Sequence, residues 1–214
     1  YNNPDTIPLY TIDKDTRLFI AAREFGTQSG PIDALGFDAR GNIYVIETKL
    51  FKNPDKRTVV AQALDYGASL WRHSSDIDEF LSRLNTHTLK QFGKSFEEEF
   101  DVFFGVEADP EYLSAIKTNL AEGVVKFVVL MDRLDSKLKD LVVFVNQNSK
   151  FDIFAVELEY YKHATFEIII PRIFGTEVKK ELAITRQTSS GQRHQWNETE
   201  YWQEVNGKLS PALA

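Results

Sequence analysis

Residues 30–66 read GPIDALGFDARGNIYVIETKLFKNPDKRTVVAQALDY. Two short runs rich in β-branched and aromatic residues, 31–38 and 43–50, flank Ala39, Arg40, Gly41 and Asn42, whose composition favours a tight turn. An antiparallel hairpin is expected. With the turn centred near Arg40 and Gly41, residues whose numbers sum to about 80 or 81 stand opposite one another, which sets Asp33 beside Glu47 and Thr48. Side chains alternate faces along a strand, so Glu47 and Lys49 project to the same side.

Two carboxylates facing each other across a ladder repel unless a positive charge lies between them. A hard dication meets that need, because Mg²⁺ takes oxygen ligands and requires only one or two protein carboxylates. Asp33 and Glu47 suit this role, with the carbonyl of Thr48 as a third oxygen. Lys49 is placed to hold or deprotonate a water for in-line attack on a phosphodiester. Asn53, Pro54 and Asp55 break the strand. From Lys56 or Arg57 onward a helix is expected, with Val59, Val60, Ala63, Leu64, Gly67 and Leu70 on its apolar side and Gln62 and Tyr66 sharing a face. Lys49, Lys52, Lys56 and Arg57 form a local basic cluster suited to phosphate oxygens.

Asp33, then Glu47-Thr48-Lys49, then Gln62 and Tyr66 on the following helix, together resemble the PD-(D/E)XK nuclease superfamily, with the Q-x-x-x-Y signature of its RecB-like branches. The resemblance implies an α/β chain with a restriction-endonuclease-like mixed β-sheet flanked by α-helices. It also implies Asp33 and Glu47 as metal ligands for Mg²⁺ or Mn²⁺, Lys49 as the catalytic lysine, and Gln62 and Tyr66 as supports of the site. The chain departs from the pattern at its start, where no helix bearing an acidic residue precedes the first strand. The tripeptide itself is common. It recurs at Asp135-Ser136-Lys137 and Glu177-Val178-Lys179, so its strand and helix context carries the reading.

The chain has 214 residues, enough for one sizeable α/β domain, with domain 1 expected over 1–182. Absence of cysteine excludes disulfides and thiolate metal sites, and it suits a reducing cytoplasm. No apolar run approaches the roughly 18 residues that span a bilayer, so no membrane association is expected. A net charge of −7 argues against coating nucleic acid through bulk electrostatics. The expected consequence is weak, salt-sensitive binding unless a homodimer or a further domain assists. His73, His87, His163 and His194 are scattered without zinc spacing, and there is no glycine-rich phosphate loop.

Residues 1–16 read as an irregular arm and 17–25 as the first strand of a meander, with Glu24 at its end as a solvated strand-end carboxylate or, alternatively, as a support that approaches the metal. Helices are expected from about 75, over 96–104 and over 110–120. The triple acid Glu97, Glu98, Glu99 is assigned to a helical first turn rather than to a metal. Residues 124–131 read as a buried strand, 134–145 as a helix, and 151–158 and 166–170 as two further strands, a crossover unit extending the same sheet. Glu157 and Glu159 read as the solvent side of an outer strand. Beyond Thr185 a polar linker leads to Trp196, Tyr201 and Trp202, so 183–214 read as a linker and C-terminal helical segment. The leading function is a metal-dependent endonuclease or exonuclease with nucleic acid, DNA before RNA, as partner. The alternatives are a non-cleaving nucleic-acid-binding or regulatory module and a plain interaction domain.

Overall fold

The turn after residue 38 closes because its side chain serves it. In the computed structural model, which describes residues 6–52, 58–72, 76–105, 110–149 and 151–176, the Asp38 carboxylate accepts from the main-chain N–H groups of Arg40 and Asn42 at 3.0 and 3.1 Å. Gly41 adopts φ +75, and a Cβ there would stand 2.5 Å from the Tyr112 carbonyl oxygen, so the position requires glycine. Around this turn β2 (Gly30–Phe37) and β3 (Ile43–Lys49) pair antiparallel through Ala34↔Ile46 to Phe37↔Ile43, the anticipated register. Strand β1 (Phe19–Thr27) pairs antiparallel with β2.

From β3 the chain crosses to the parallel strand β4 (Val125–Met131) by way of α1 (Thr58–Arg72), α2 (Ile77–Phe92), α3 (Phe96–Phe104) and α4 (Pro110–Glu122). It crosses again through α5 (Ser136–Asn148) to the parallel strand β5 (Asp152–His163), and returns antiparallel along β6 (Phe166–Phe174). The result is a six-stranded mixed sheet in the order β1-β2-β3-β4-β5-β6. Both crossovers step in the same direction along the sheet. Because such connections share one hand, their helices fall on the same face. The burial follows suit: Val59, Leu84, Phe100, Ile116 and Val142, one from each helix, join a single core with Phe25, Leu35, Val45, Phe127 and Ile153.

The opposite face is covered differently. Ile20, Tyr44, Ile46, Val128, Phe154 and Val156 pack there against Ile7 and Leu9 of the N-terminal arm, which makes a 3-10 turn at Leu9–Thr11. Beyond Leu158 the β5 and β6 strands pair only with each other, and Tyr160, Tyr161, Ile168 and Ile169 are about half exposed.

Several boundaries move. The first strand begins two residues later than expected and runs on to Thr27, and β6 continues through Pro171 to Phe174. A sheet edge tolerates proline because the strand has a ladder on one side alone. Glu157 is not on a solvent face: it is buried, and it accepts from the Leu134 N–H at 2.8 Å, ahead of α5. Glu98 and Ser95 form a reciprocal capping box at the start of α3, which accounts for the acidic triplet. Asp135 caps α5 through the Leu138 N–H at 2.8 Å, so that copy of the tripeptide serves a helix terminus. Residues 177–214, which hold the third copy, the linker and the three aromatic residues of the tail, lie outside the described residues.

Candidate active site at the open end of the hairpin

The β2-β3 ladder ends at Ala34↔Ile46, while β3 continues along β4 through Glu47↔Val129, Thr48↔Leu130 and Lys49↔Met131. Past Ile46, therefore, one edge of β3 has lost its strand partner. A side chain replaces it: Asp33 Oδ2 accepts from the Thr48 main-chain N–H at 2.8 Å and from Thr48 Oγ1 at 2.6 Å. A residue in a strand sends its N–H and C=O to the same edge, so the Thr48 carbonyl also leaves β3 on the Asp33 side.

Glu47 turns the other way, towards α1. It is 5% exposed, and its Oε2 is buried without a hydrogen-bond partner. Burial, first, and then the charge of Asp33 push its carboxyl up to about 7; Lys49 opposes the shift and Glu24 adds to it. Lys49, two residues on and on the same face, donates from Nζ to Gln62 Oε1 at 3.3 Å. Gln62 is half-buried, and Tyr66 follows one turn later on α1, almost wholly buried. The Tyr66 hydroxyl is held above its ordinary value by burial and then by Glu47, Asp33 and Glu24, which places all three carboxylates in its field.

Glu24 is an exposed residue inside β1 rather than at its end, and it has φ +49, a left-handed conformation unusual for a glutamate. It sits between the pairs Arg23↔Ala34 and Phe25↔Ile32, across from Asp33. Such local backbone strain costs on the order of 1 kcal/mol and tends to gather at functional sites. Lys52 is exposed just beyond the strand; Lys56 and Arg57 lie outside the described residues.

The structure thus brings Asp33 to Thr48 and Lys49 to Gln62, and it places Glu47, Glu24 and Tyr66 within electrostatic reach of one another. Asp33 bonds to Thr48 rather than directly to Glu47. A metal ion is implied by the resemblance, and the donor set accommodates one: the orphaned Oε2 of Glu47 is an acceptor that gains a partner when a cation arrives. Among the described residues no three His, Asp or Glu side chains converge in a metal-binding group. Two carboxylates with a main-chain oxygen fall below that count and remain within what Mg²⁺ accepts.

Two cavities open beside the site. One, of about 330 Å³, is lined by Arg23, Glu24, Asp33, Ala34, Ile46, Thr48 and Leu130 among others. The second, of about 350 Å³, is lined by Thr48, Lys49, Leu50, Leu130, Met131, Asp132 and Leu158. A larger cavity of about 460 Å³ lies beyond Tyr66, between Phe25, Ser69, Phe80 and Arg83, and contains none of the site's carboxylates. Arg23 and Asp132 went unnoticed in the sequence. The alternation along β1 signals Arg23, and the end of the apolar β4 run signals Asp132. Compared with protein-family models, curated proteins and solved structures, the chain matches none of them.

Proposed function

We propose that the chain is a metal-dependent nuclease that hydrolyses nucleic-acid phosphodiester bonds, DNA before RNA, on a restriction-endonuclease-like fold. The observation that carries this is the partnerless, buried Oε2 of Glu47 beside Asp33 and the Lys49-Gln62 pair. An isolated buried carboxylate oxygen costs stability, so its retention fits a bound cation better than a surface ion pair. The meander of β1, β2 and β3 followed by parallel β4 and β5 supports the fold reading.

In this mechanism Asp33, Glu47 and the Thr48 carbonyl hold Mg²⁺ or Mn²⁺. The dication supplies Lewis acidity at a phosphoryl oxygen and lowers the pKa of a nearby water. Lys49 orients the attacking water, and Gln62, accepting from Nζ, fixes the ammonium so that it stays aimed. The water oxygen bonds to phosphorus as the bridging P–O bond breaks; the proton that the water gives up passes to solvent, and the leaving oxygen takes up a proton from solvent.

The test is cleavage of plasmid and oligonucleotide DNA with Mg²⁺ or Mn²⁺ by wild type, Asp33→Ala and Lys49→Ala. Both variants are expected to lose at least about 100-fold in rate, and Lys49→Ala is expected to keep its calorimetric Mn²⁺ binding while Glu47→Gln loses it. Wild-type cleavage that survives either alanine change removes this mechanism. No heat of Mn²⁺ binding in wild type favours a non-cleaving module on the same fold.

A further inference from the structure

Strand β5 leaves the sheet well before it ends. Its last pair with β4 is Met131↔Glu157, and α5 covers it only up to there: Glu157 accepts from the Leu134 N–H just ahead of the helix, while Asn146, near the helix end, bonds the main chain of Ile153. Beyond Leu158, β5 and β6 form a two-stranded ribbon. Ile153 and Ala155 lie in the core on the helix side, so alternation sets Glu159 and Tyr161 on that side too, and the ladder adds their partners Ile170 and Ile168, with Phe166 two residues before Ile168. Tyr161 is 52%, Phe166 70%, Ile168 54% and Ile170 42% exposed. At about 200 Å² for a whole large side chain, these fractions leave on the order of 400 Å² of apolar surface on one face, a size that on a monomer is often functional.

We infer that this face of the ribbon binds the same face of a second copy of the chain, an inference independent of the nuclease reading. Charge points to the occupant. The chain carries −7, so two copies repel each other on average. Residues 158–174, in contrast, hold two acids and two bases, and each acid is matched within the ribbon: Glu159 by Arg172 at 3.2 Å and Glu167 by Lys162 at 2.9 Å. The Tyr161 hydroxyl also donates to Glu159 at 3.0 Å. The patch is electrically closed, so its own image brings neither a like charge to oppose nor an unpaired charge to bury. A strongly acidic or basic partner finds no net charge to answer there. Two such faces related by a two-fold axis make a contact that closes at two copies. Pro171 stands in the edge strand, where its missing N–H interrupts further pairing, so faces stack rather than strands add. Even with a polar rim, the patch is small beside the roughly 800 Å² per partner of a standard interface, which sets a dissociation constant on the order of micromolar.

The experiment is sedimentation velocity of the full chain from about 1 to 100 µM, for wild type, Ile168→Glu, Phe166→Ser and Ile169→Glu, with thermal unfolding at the lowest concentration to check folding. Ile169 is half-exposed like Ile168 but stands on the other face of the ribbon, so it serves as the control. Wild type is expected to pass from monomer to dimer within this range. Added salt should tighten the dimer, because screening weakens the repulsion between two acidic chains. Ile168→Glu should weaken association about tenfold or more, since a lone carboxylate would be buried between the copies, and Ile169→Glu should leave it nearly as in wild type. If Ile168→Glu melts earlier than wild type, Phe166→Ser, at the most exposed of the four positions, decides by weakening association about threefold or more. A wild type that stays monomeric at the highest concentration, as when another segment or another protein covers the face, overturns the inference. So does a dimer indifferent to both Ile168→Glu and Phe166→Ser, one equally sensitive to Ile169→Glu, or assembly that grows past two copies.

Discussion

Glu47 links the site to stability through its proton. Its carboxyl is raised from 4.5 to about 7, so between those values the folded state holds a proton that the unfolded state has released. Stability from this group is therefore full below pH 4.5 and is lost as pH rises through 7. In metal-free buffer, Glu47→Gln is expected to raise the melting temperature at pH 8 and to change it little at pH 4.5, as thermal unfolding across pH will show. Mn²⁺ should reverse the wild-type loss at pH 8, and below pH 7 its affinity should fall about tenfold per unit as the proton competes. Asp38 is the contrasting case, buried but fully engaged. Besides the turn N–H groups it accepts from Asn42 Nδ2 at 2.8 Å and from the Tyr44 hydroxyl at 3.0 Å, with Lys126 Nζ 4.0 Å away. Asp38→Ala strands these donors, and a loss of about 3 kcal/mol is expected in urea unfolding. Asp33, Glu47, Lys49 and Gln62 were legible as a group because strand period and helix period fix which side chains share a face. The Asp33-Thr48 bond was not, since it depends on where the ladder stops.

Helix α1 sits close to the sheet because Gly67 lets it. A Cβ at that position would stand 2.5 Å from Phe127 Cζ, the side chain of a 4% exposed residue of β4. Gly67→Ala gains about 1 kcal/mol of helix propensity, yet the ring has no room to yield in a packed core. A net loss of about 1–2 kcal/mol is expected, and reduced cleavage with it, because the shift propagates one turn down α1 to Gln62. A variant that unfolds later than wild type would refute this close contact. Read as sequence, Gly67 was one more apolar position; nothing in the period reveals that a ring waits opposite. Strand and helix identity were readable throughout the described residues from apolar period and turn residues. Strand ends were not: β5 runs to His163 because β6 accompanies it, a long-range fact that Tyr160, Tyr161 and Lys162 do not announce.

At the largest scale, the described residues divide between two unequal faces of one sheet. Among them, five helices supply the larger core; the smaller depends on Ile7 and Leu9. Joint replacement of both by alanine is expected to cost about 4 kcal/mol or more and to raise binding of an apolar dye, measured beside urea unfolding. An unchanged urea midpoint would show the arm to be dispensable. This asymmetry could be anticipated only in part. The order of strands and helices tells which way each crossover steps, and hence that the five described helices share a face, but an arm with two prolines gives no sign of what it covers.

That arm also has a place in time. Ile7 and Leu9 share the smaller core with Ile20 and Ile46 near them in the chain and with Phe154 and Val156 nearly the full described length away. The closing of so long a loop is rewarded in full only once the last parallel strand has docked. Consolidation of the helix-free side should therefore come late in refolding, after the rate-limiting barrier. Substitutions at Leu9 should accelerate unfolding while leaving the refolding rate nearly as it was.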